Sequence, residues 1–390
     1  MPSCAPPLPV NTLEPAATGV ALTLQALTSS LPPLPSATPA LPPTPAPPSL
    51  LPHALYFLNP DGAGMLQVFR LDPAGRSPRQ ITFEPLLVDA YDVSPYDSSV
   101  AFTTNNQLHL VDAAGADRTM LLDGGALDEN NRWTSSVGSP LWSPDGQTLA
   151  YSHGGLSFWT VGTGETRRVL ENQIDMSAGF PIVHEVYAPH AYSPDGGKLL
   201  IDIGLYEGRT YGILAPSDGS LVRLARSDGG IVCCYVNWFP DGSSVYVTSP
   251  SLGMVESGLF RADTSTGDVT TLLPGAAPDG TYNFAWAAQV GADGKLYFLF
   301  NNLPEIPSSG HTPLYLVSAA GDGVTDRTQL RAEAFQNVNE ILWAGDASLA
   351  ILINSSSPDL FTGGEAQIVY PDGRPSIDLL PFAQSIRWGP

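Results

Sequence analysis

The stretch Leu141-Trp142-Ser143-Pro144-Asp145-Gly146-Gln147-Thr148-Leu149-Ala150-Tyr151-Ser152 decides the fold, because the same phrase returns through the chain in altered spelling. Trp142 closes a short apolar strand, Ser143 to Gly146 form a tight turn, and Leu149-Ala150-Tyr151 open a second strand running back. Proline suits the second position of a type I turn, aspartate hydrogen-bonds the turn backbone, and glycine accepts positive φ. The phrase is structural, and Asp145, Asp195 and Asp241 recur because the turn recurs.

Aligned on Trp142, the phrase places Val93, Tyr192, Trp238, Trp286, Trp343 and Trp388 in the same role. The intervals are 49, 50, 46, 48, 57 and 45 residues, the length of four short strands and their turns. That period belongs to a propeller blade. Each unit supplies a second apolar strand, such as Val100-Ala101-Phe102 or Val245-Tyr246-Val247, then a third ending in Asp before a Gly turn, then a fourth. Residues 54 to 84 carry strands two, three and four with no first strand ahead of them, and Ser385 to Trp388 is a first strand with nothing behind it. Joined, they complete a ring. The expectation is an all-β, seven-bladed β-propeller over residues 53–390, six or eight blades being the alternatives, closed by strands from both termini so that no open edge remains.

These Trp-Ser-Pro-Asp-Gly units resemble the repeats of the TolB-like, WD-type β-propeller family, which also occur in the propeller domains of prolyl oligopeptidase relatives. The resemblance covers roughly residues 54–390 and implies a fold, not an activity; TolB-like propellers are six-bladed by this resemblance, so a count of seven departs from them.

Residues 1–52 are of another kind. They hold fourteen of the 38 prolines within the first fifty positions, where Glu14 is the only charged residue. The Pro-rich run 30–52 favours polyproline II, a semi-rigid spacer about 60 Å long. Ahead of it, residues 19–27 alternate Val20, Leu22 and Leu24 with Ala21, Thr23 and Gln25, and Leu27 follows. Such a strand has one apolar face and no neighbour in sequence to pair with, so it reads as a strand donated to a sheet edge.

Composition excludes several classes of function. With 17 basic and 38 acidic residues the formal charge is −21, which opposes binding to nucleic acid or anionic membrane. There is no apolar run long enough to span a bilayer. Three cysteines, Cys4, Cys233 and Cys234, are too few and too oddly spaced for a zinc site; they are free thiols or a disulfide, either between Cys233 and Cys234 or from Cys4 to one of them. No Gly-x-Ser-x-Gly elbow, phosphate loop, His-Glu-x-x-His or calcium loop occurs, so no enzyme, metal or cofactor is expected.

The connections between strands one and two are short, whereas four longer ones, 123–139, 171–189, 301–313 and 354–365, collect on the opposite face. Variable loops on a repeat scaffold carry function, so Trp133, Phe180, His184, Glu185, Tyr187, Tyr235 and Glu305 form the candidate binding face. Thr38 and Thr44 among prolines resemble O-glycosylation sites, and Asn354-Ser355-Ser356 matches the N-glycosylation pattern. The expected function is a secreted structural subunit, extracellular or at the cell surface, whose arm engages a neighbouring copy and builds a filament or array. The alternative is a glycan- or peptide-binding propeller on a proline-rich stalk. No complete secretion signal is expected in the chain.

Overall fold

The computed structural model of the chain describes residues 49–75, 77–206, 208–229, 234–249, 256–307, 311–321 and 323–390. The chain divides into two units, Met1–Pro47 and Pro48–Pro390. The donor strand, Thr38, Thr44, Cys4 and Cys233 lie outside the described residues. Leu50 and Leu51, assigned to the spacer by sequence, belong to the folded body: both backbone amides donate to Pro73 O, and Leu51 is buried beside Leu55, Phe57 and Leu71.

The described body is all-β and propeller-type, with Arg132–Ser135 as the one helix among the described residues. The Ser143 to Gly146 turn shows why the repeated phrase works. The Gly146 amide donates to Ser143 O at 2.9 Å, the Asp145 carboxylate accepts from Ser143 Oγ and Gln147 N, and Gly146 takes φ +66°. Ser193 to Gly196 repeats this, and the Ser143 and Ser193 hydroxyls hold the carboxyls of Asp145 and Asp195 below the usual range. Strands such as Val100–Thr104 and Ser244–Ser249 are buried at every position, on both sheet faces, because neighbouring sheets pack on each side.

Hydrogen bonding arranges most strands in antiparallel units of four in chain order; two sheets carry a fifth strand, Gln173–Asp175 in one and Ala225–Arg226, which pairs parallel, in the other. Val137–Trp142, Thr148–His153, Gly155–Thr160 and Thr166–Glu171 make one such unit. The seven-stranded sheet contains two units that share Ile377–Trp388. The first half of that strand pairs with Gly364–Val369, and the second half pairs with Leu55–Pro60 through Leu55 opposite Trp388 and Tyr56 opposite Arg387. The two ends of the body are thereby joined in one sheet.

Adjacent units are sewn together at their first strands. The indoles of Trp238, Trp343 and Trp388 donate to Ala191 O, Ala287 O and Trp343 O, at 3.3, 2.7 and 2.7 Å. The Asp92 carboxylate accepts the Trp142 amide at 2.7 Å, and Glu340 accepts the amides of Ser385 and Ile386.

Two expectations change. Trp286 does not hold the position of Trp142. The first strand of its unit, Tyr282–Val290, runs on to a turn at Gly291–Gly294, so Val290 closes it. The left-handed residue three positions earlier agrees: Ser139, Ala287 and Ser385 have φ of 51°, 56° and 54°. The intervals around this unit become 52 and 53 residues in place of 48 and 57. The second change is at 171–189, expected to be a loop. Gln173–Asp175 pairs with the first half of the eleven-residue strand Ile182–Tyr192, so the segment is mostly hairpin.

Candidate functional site

Four connections meet on the face opposite the Pro-Asp-Gly turns and enclose a groove of about 700 Å³. Met65 comes from the hairpin after Leu55–Pro60, Leu86, Leu87 and Asp89 from the link to the next unit, and Asp123 and Leu127 from the link after that. Asn105 and Asn106 form the tip of a two-residue hairpin with φ of 49° and 59°, the left-handed pair that such a turn needs and that asparagine tolerates.

The walls are fixed by hydrogen bonds. Buried Gln67 donates to Glu84 O and Leu86 O, Thr104 Oγ1 donates to Leu87 O, and the Asp89 amide donates to Thr103 O. The Asn106 side chain donates to Gly125 O and Ser135 O and accepts the Val137 amide, pinning the following link over the groove. Leu86 and Leu87 nevertheless remain 48% and 44% exposed, giving an apolar floor open to solvent. Burial pushes the Asp89 carboxyl up, whereas Asp123 is held below the usual range by the Gly125 amide and the Gln107 side chain. The lining carries two carboxylates and no basic side chain.

The residues chosen from sequence fall elsewhere on the long-connection side. Trp133, Phe180 and His184 are exposed, with Met176 also exposed beside the Asn131 amide. Asn172 links Trp133 to the sheet by donating to its carbonyl oxygen at 2.6 Å and accepting the Tyr187 amide at 3.0 Å. Tyr187 itself is 3% exposed and cannot belong to a binding surface. Its hydroxyl donates to Glu185 and accepts from Gln173, and burial together with Glu185 pushes it up to about 12. Glu185 is engaged by Arg223 through both carboxylate oxygens. These two residues look loop-like in sequence but sit on the long strand, where pairing consumes their polar groups.

Tyr235 is likewise structural, its ring edge-on to Trp286 and its hydroxyl directed at Ile341 O. Glu305 is exposed in the connection after Lys295–Leu303. Asn354 is half-buried with its amide oxygen enclosed. Cys234 is disulfide-bonded, its partner lying outside the described residues. His190 Nδ1 lies 3.0 Å from Asp202 Oδ2, with Arg209 3.8 Å from the other oxygen, an oriented imidazole of the kind acid–base chemistry uses. Among the described residues no group of three or more side chains could hold a metal ion, and no helix is long and apolar enough to cross a membrane.

No protein-family model matches the sequence, and no curated protein does. Solved structures similar to this chain include prolyl endopeptidases, with a TM-score of 0.54, 13% identity, and coverage of 88% of this chain and 50% of theirs. An oligogalacturonate lyase in complex with manganese matches with a TM-score of 0.50 and 12% identity over 84% of both chains. TolB from Acinetobacter baumannii matches with a TM-score of 0.45 and 16% identity, over 87% of this chain and 66% of that one. The chain thus spans about half the length of the prolyl endopeptidases it resembles. The expectation that the chain is not an enzyme does not stand: the same fold in the endopeptidases and the lyase belongs to enzymes, and it gives no ground for excluding catalysis.

Proposed function

We propose that the chain is a seven-bladed propeller, extracellular or at the cell surface, that binds an extended peptide on the face carrying its long connections. The observation that carries this reading is the groove itself: an apolar floor of Leu86 and Leu87 open to solvent, two carboxylates, and no cation in the lining. Such a lining suits a segment with one basic and one apolar side chain, since a cation gains from Asp89 and Asp123 while an acidic peptide is repelled. No aromatic platform of the kind on which sugar rings stack lines the groove, which favours peptide over glycan. The blade count is supported by the four-stranded units and the strand shared at the closure. The disulfide at Cys234 supports an oxidising location.

The test is peptide-array binding followed by titration calorimetry on the best sequences. Basic–apolar peptides are expected to bind, with affinity falling about tenfold in Leu87→Arg, where a ~1.4 kcal/mol loss is one decade, and weakening as salt rises. Enrichment of acidic peptides, or of oligosaccharides on a glycan array, sinks the reading.

A second reading, self-assembly through the arm, is favoured by a different feature, the sheet edge at Thr119–Asp123.

A further inference from the structure

The outer edges of the units are guarded in most places. Thr166–Glu171 carries Arg167 and Arg168, Gly323–Gln329 carries Arg327, and Leu221–Arg223 ends in arginine. Asp268–Pro274 is covered over its first two residues by Ala225–Arg226, which runs parallel to it. Arg79–Gln80 is only two residues long and contains an arginine. The outer half of Ile377–Trp388 includes Asp378 and Pro381, and proline has no amide to offer a partner strand. Charges, prolines and short lengths of this kind stop sheet edges from pairing with other chains.

Thr119–Asp123, Thr-Met-Leu-Leu-Asp, is the exception. It is the last strand of its sheet and contains no basic residue and no proline, its one charge, Asp123, stands at its very end, and Met120 is 50% exposed. Arg118 precedes it but does not guard it. The guanidinium is turned to the neighbouring unit, where Nε and Nη2 hold the buried Glu84 carboxylate at 2.6 and 2.9 Å. Beside that ion pair a pocket of about 400 Å³ opens between Phe83, Leu86 and Arg118, and Phe83 is 71% exposed. An unpaired apolar strand and an open apolar pocket therefore lie next to each other.

We infer that this edge receives the segment Val20–Leu24 of a second copy of the chain by strand addition. Donor and acceptor are both five residues long. Backbone pairing supplies the affinity, and the alternating Val20, Leu22 and Leu24 supply an apolar face for Met120 and the pocket. Charge singles out the arm as the part of a second copy able to approach. Of the 38 acidic residues only Glu14 lies in the first fifty positions, so the bodies repel one another while the arm is nearly neutral. Stiffness selects a second copy over the same chain. The described body begins at Ser49, anchored through Leu50 and Leu51 to Pro73, in the unit adjacent to the acceptor edge. By composition the run 30–52 favours polyproline II, which disfavours return of the donor to so near a target on its own chain. A donor on one surface and an acceptor on another make a head-to-tail contact, which propagates.

The test uses full-length chains. One variant carries Leu22→Asp and Leu24→Asp, and the other carries Met120→Lys on the exposed edge. Light scattering is expected to give the wild type a mass of several chains and each variant alone the mass of one. A mixture of the two variants is expected to give heterodimers and nothing larger, because one intact arm and one intact edge remain. The heterodimer also shows that the arm variant, which supplies the edge, is folded, and an unchanged circular dichroism melt shows the same for the Met120→Lys variant. A monomeric wild type, a variant that keeps the wild-type mass, or a mixture that stays monomeric each overturns the inference. Because this pocket and the groove share Leu86, Asn105 and Gln107, peptide binding is compared between the two variants, each with a free edge pocket; equal binding of basic–apolar peptides is expected whether or not the wild type assembles, which separates this result from that of the proposed function.

Discussion

Replacing Asp92 by asparagine should make the protein more stable at neutral pH, although it removes a carboxylate that accepts a hydrogen bond. Asp92 is 9% exposed and accepts the Trp142 amide of the next unit. Burial pushes its carboxyl up to about 6 from 3.8, with Arg387 and the amides of Trp142 and Val93 pulling the other way. The folded state therefore holds the proton more tightly than the unfolded chain does. The stabilisation is complete below pH ~4 and is lost as pH rises through about 6. Two pH units at ~1.36 kcal/mol each make the ionised group cost about 3 kcal/mol at pH 8. Asparagine keeps an oxygen for the Trp142 amide and carries no charge to desolvate. For a body of about 340 residues, at ~2.1 cal/mol/K per residue, 3 kcal/mol corresponds to roughly 4 °C in Tm. Calorimetric scans of both proteins from pH 4 to 8 are the assay. The difference between them isolates Asp92 from the many surface carboxylates whose lowered values, as at Asp145 and Asp195, slope the other way. A Tm difference near zero at pH 4 and about 4 °C in favour of the variant at pH 8 is expected. A flat difference, or a wild type more stable at pH 8, refutes the reasoning.

Gly155→Ala should cost about 3 kcal/mol or more, because the position has φ 146° and a Cβ would sit 2.1 Å from Leu170 O. Gly162→Ala, with nothing within 4 Å, should stay within about 0.5 kcal/mol, and urea midpoints compare the two. Deleting residues 384–390 removes the partner of Leu55–Pro60, the acceptor of the Tyr91 hydroxyl and both donors to Glu340. The expected outcome is loss of cooperative melting by circular dichroism, and an unchanged melt would show that the closure contributes nothing.

Much of the fold was legible because the turn chemistry is local. Ser, Pro, Asp and Gly at fixed offsets satisfy a turn wherever they occur, so their spacing measured the units and marked the shared closing strand. Trp286 is the exception, because tryptophan does not by itself mark the end of a first strand. Trp142, Trp343 and Trp388 do close their strands, but the position asks only for an apolar side chain ahead of the turn, and Val290 meets that requirement. The segment 171–189 misled for a related reason. Gly179, its prolines and its polar residues look like a loop, while the pairing of Gln173 with Glu185 and of Ile174 with Val183 makes it a hairpin.

The sequence by itself determined the repeated four-stranded unit, the separation of a neutral proline-rich arm from an acidic body, and the pairing of the two ends of that body. Each follows from residues close together in the chain, or from a composition that holds over a long stretch. Only the tertiary structure decided where the surface is available. Leu87, Asp89, Asn105 and Leu127 come from separate connections and share no spacing that could announce a groove. Glu185 and Tyr187 are chemically suited to binding but are occupied by Arg223 and Gln173. Thr119–Asp123 is an ordinary fourth strand in sequence, and it stands out only once the edges of the other units are seen to be charged, covered or short. Exposure is a property of what packs against a residue, and for this chain that is set by segments far away in sequence.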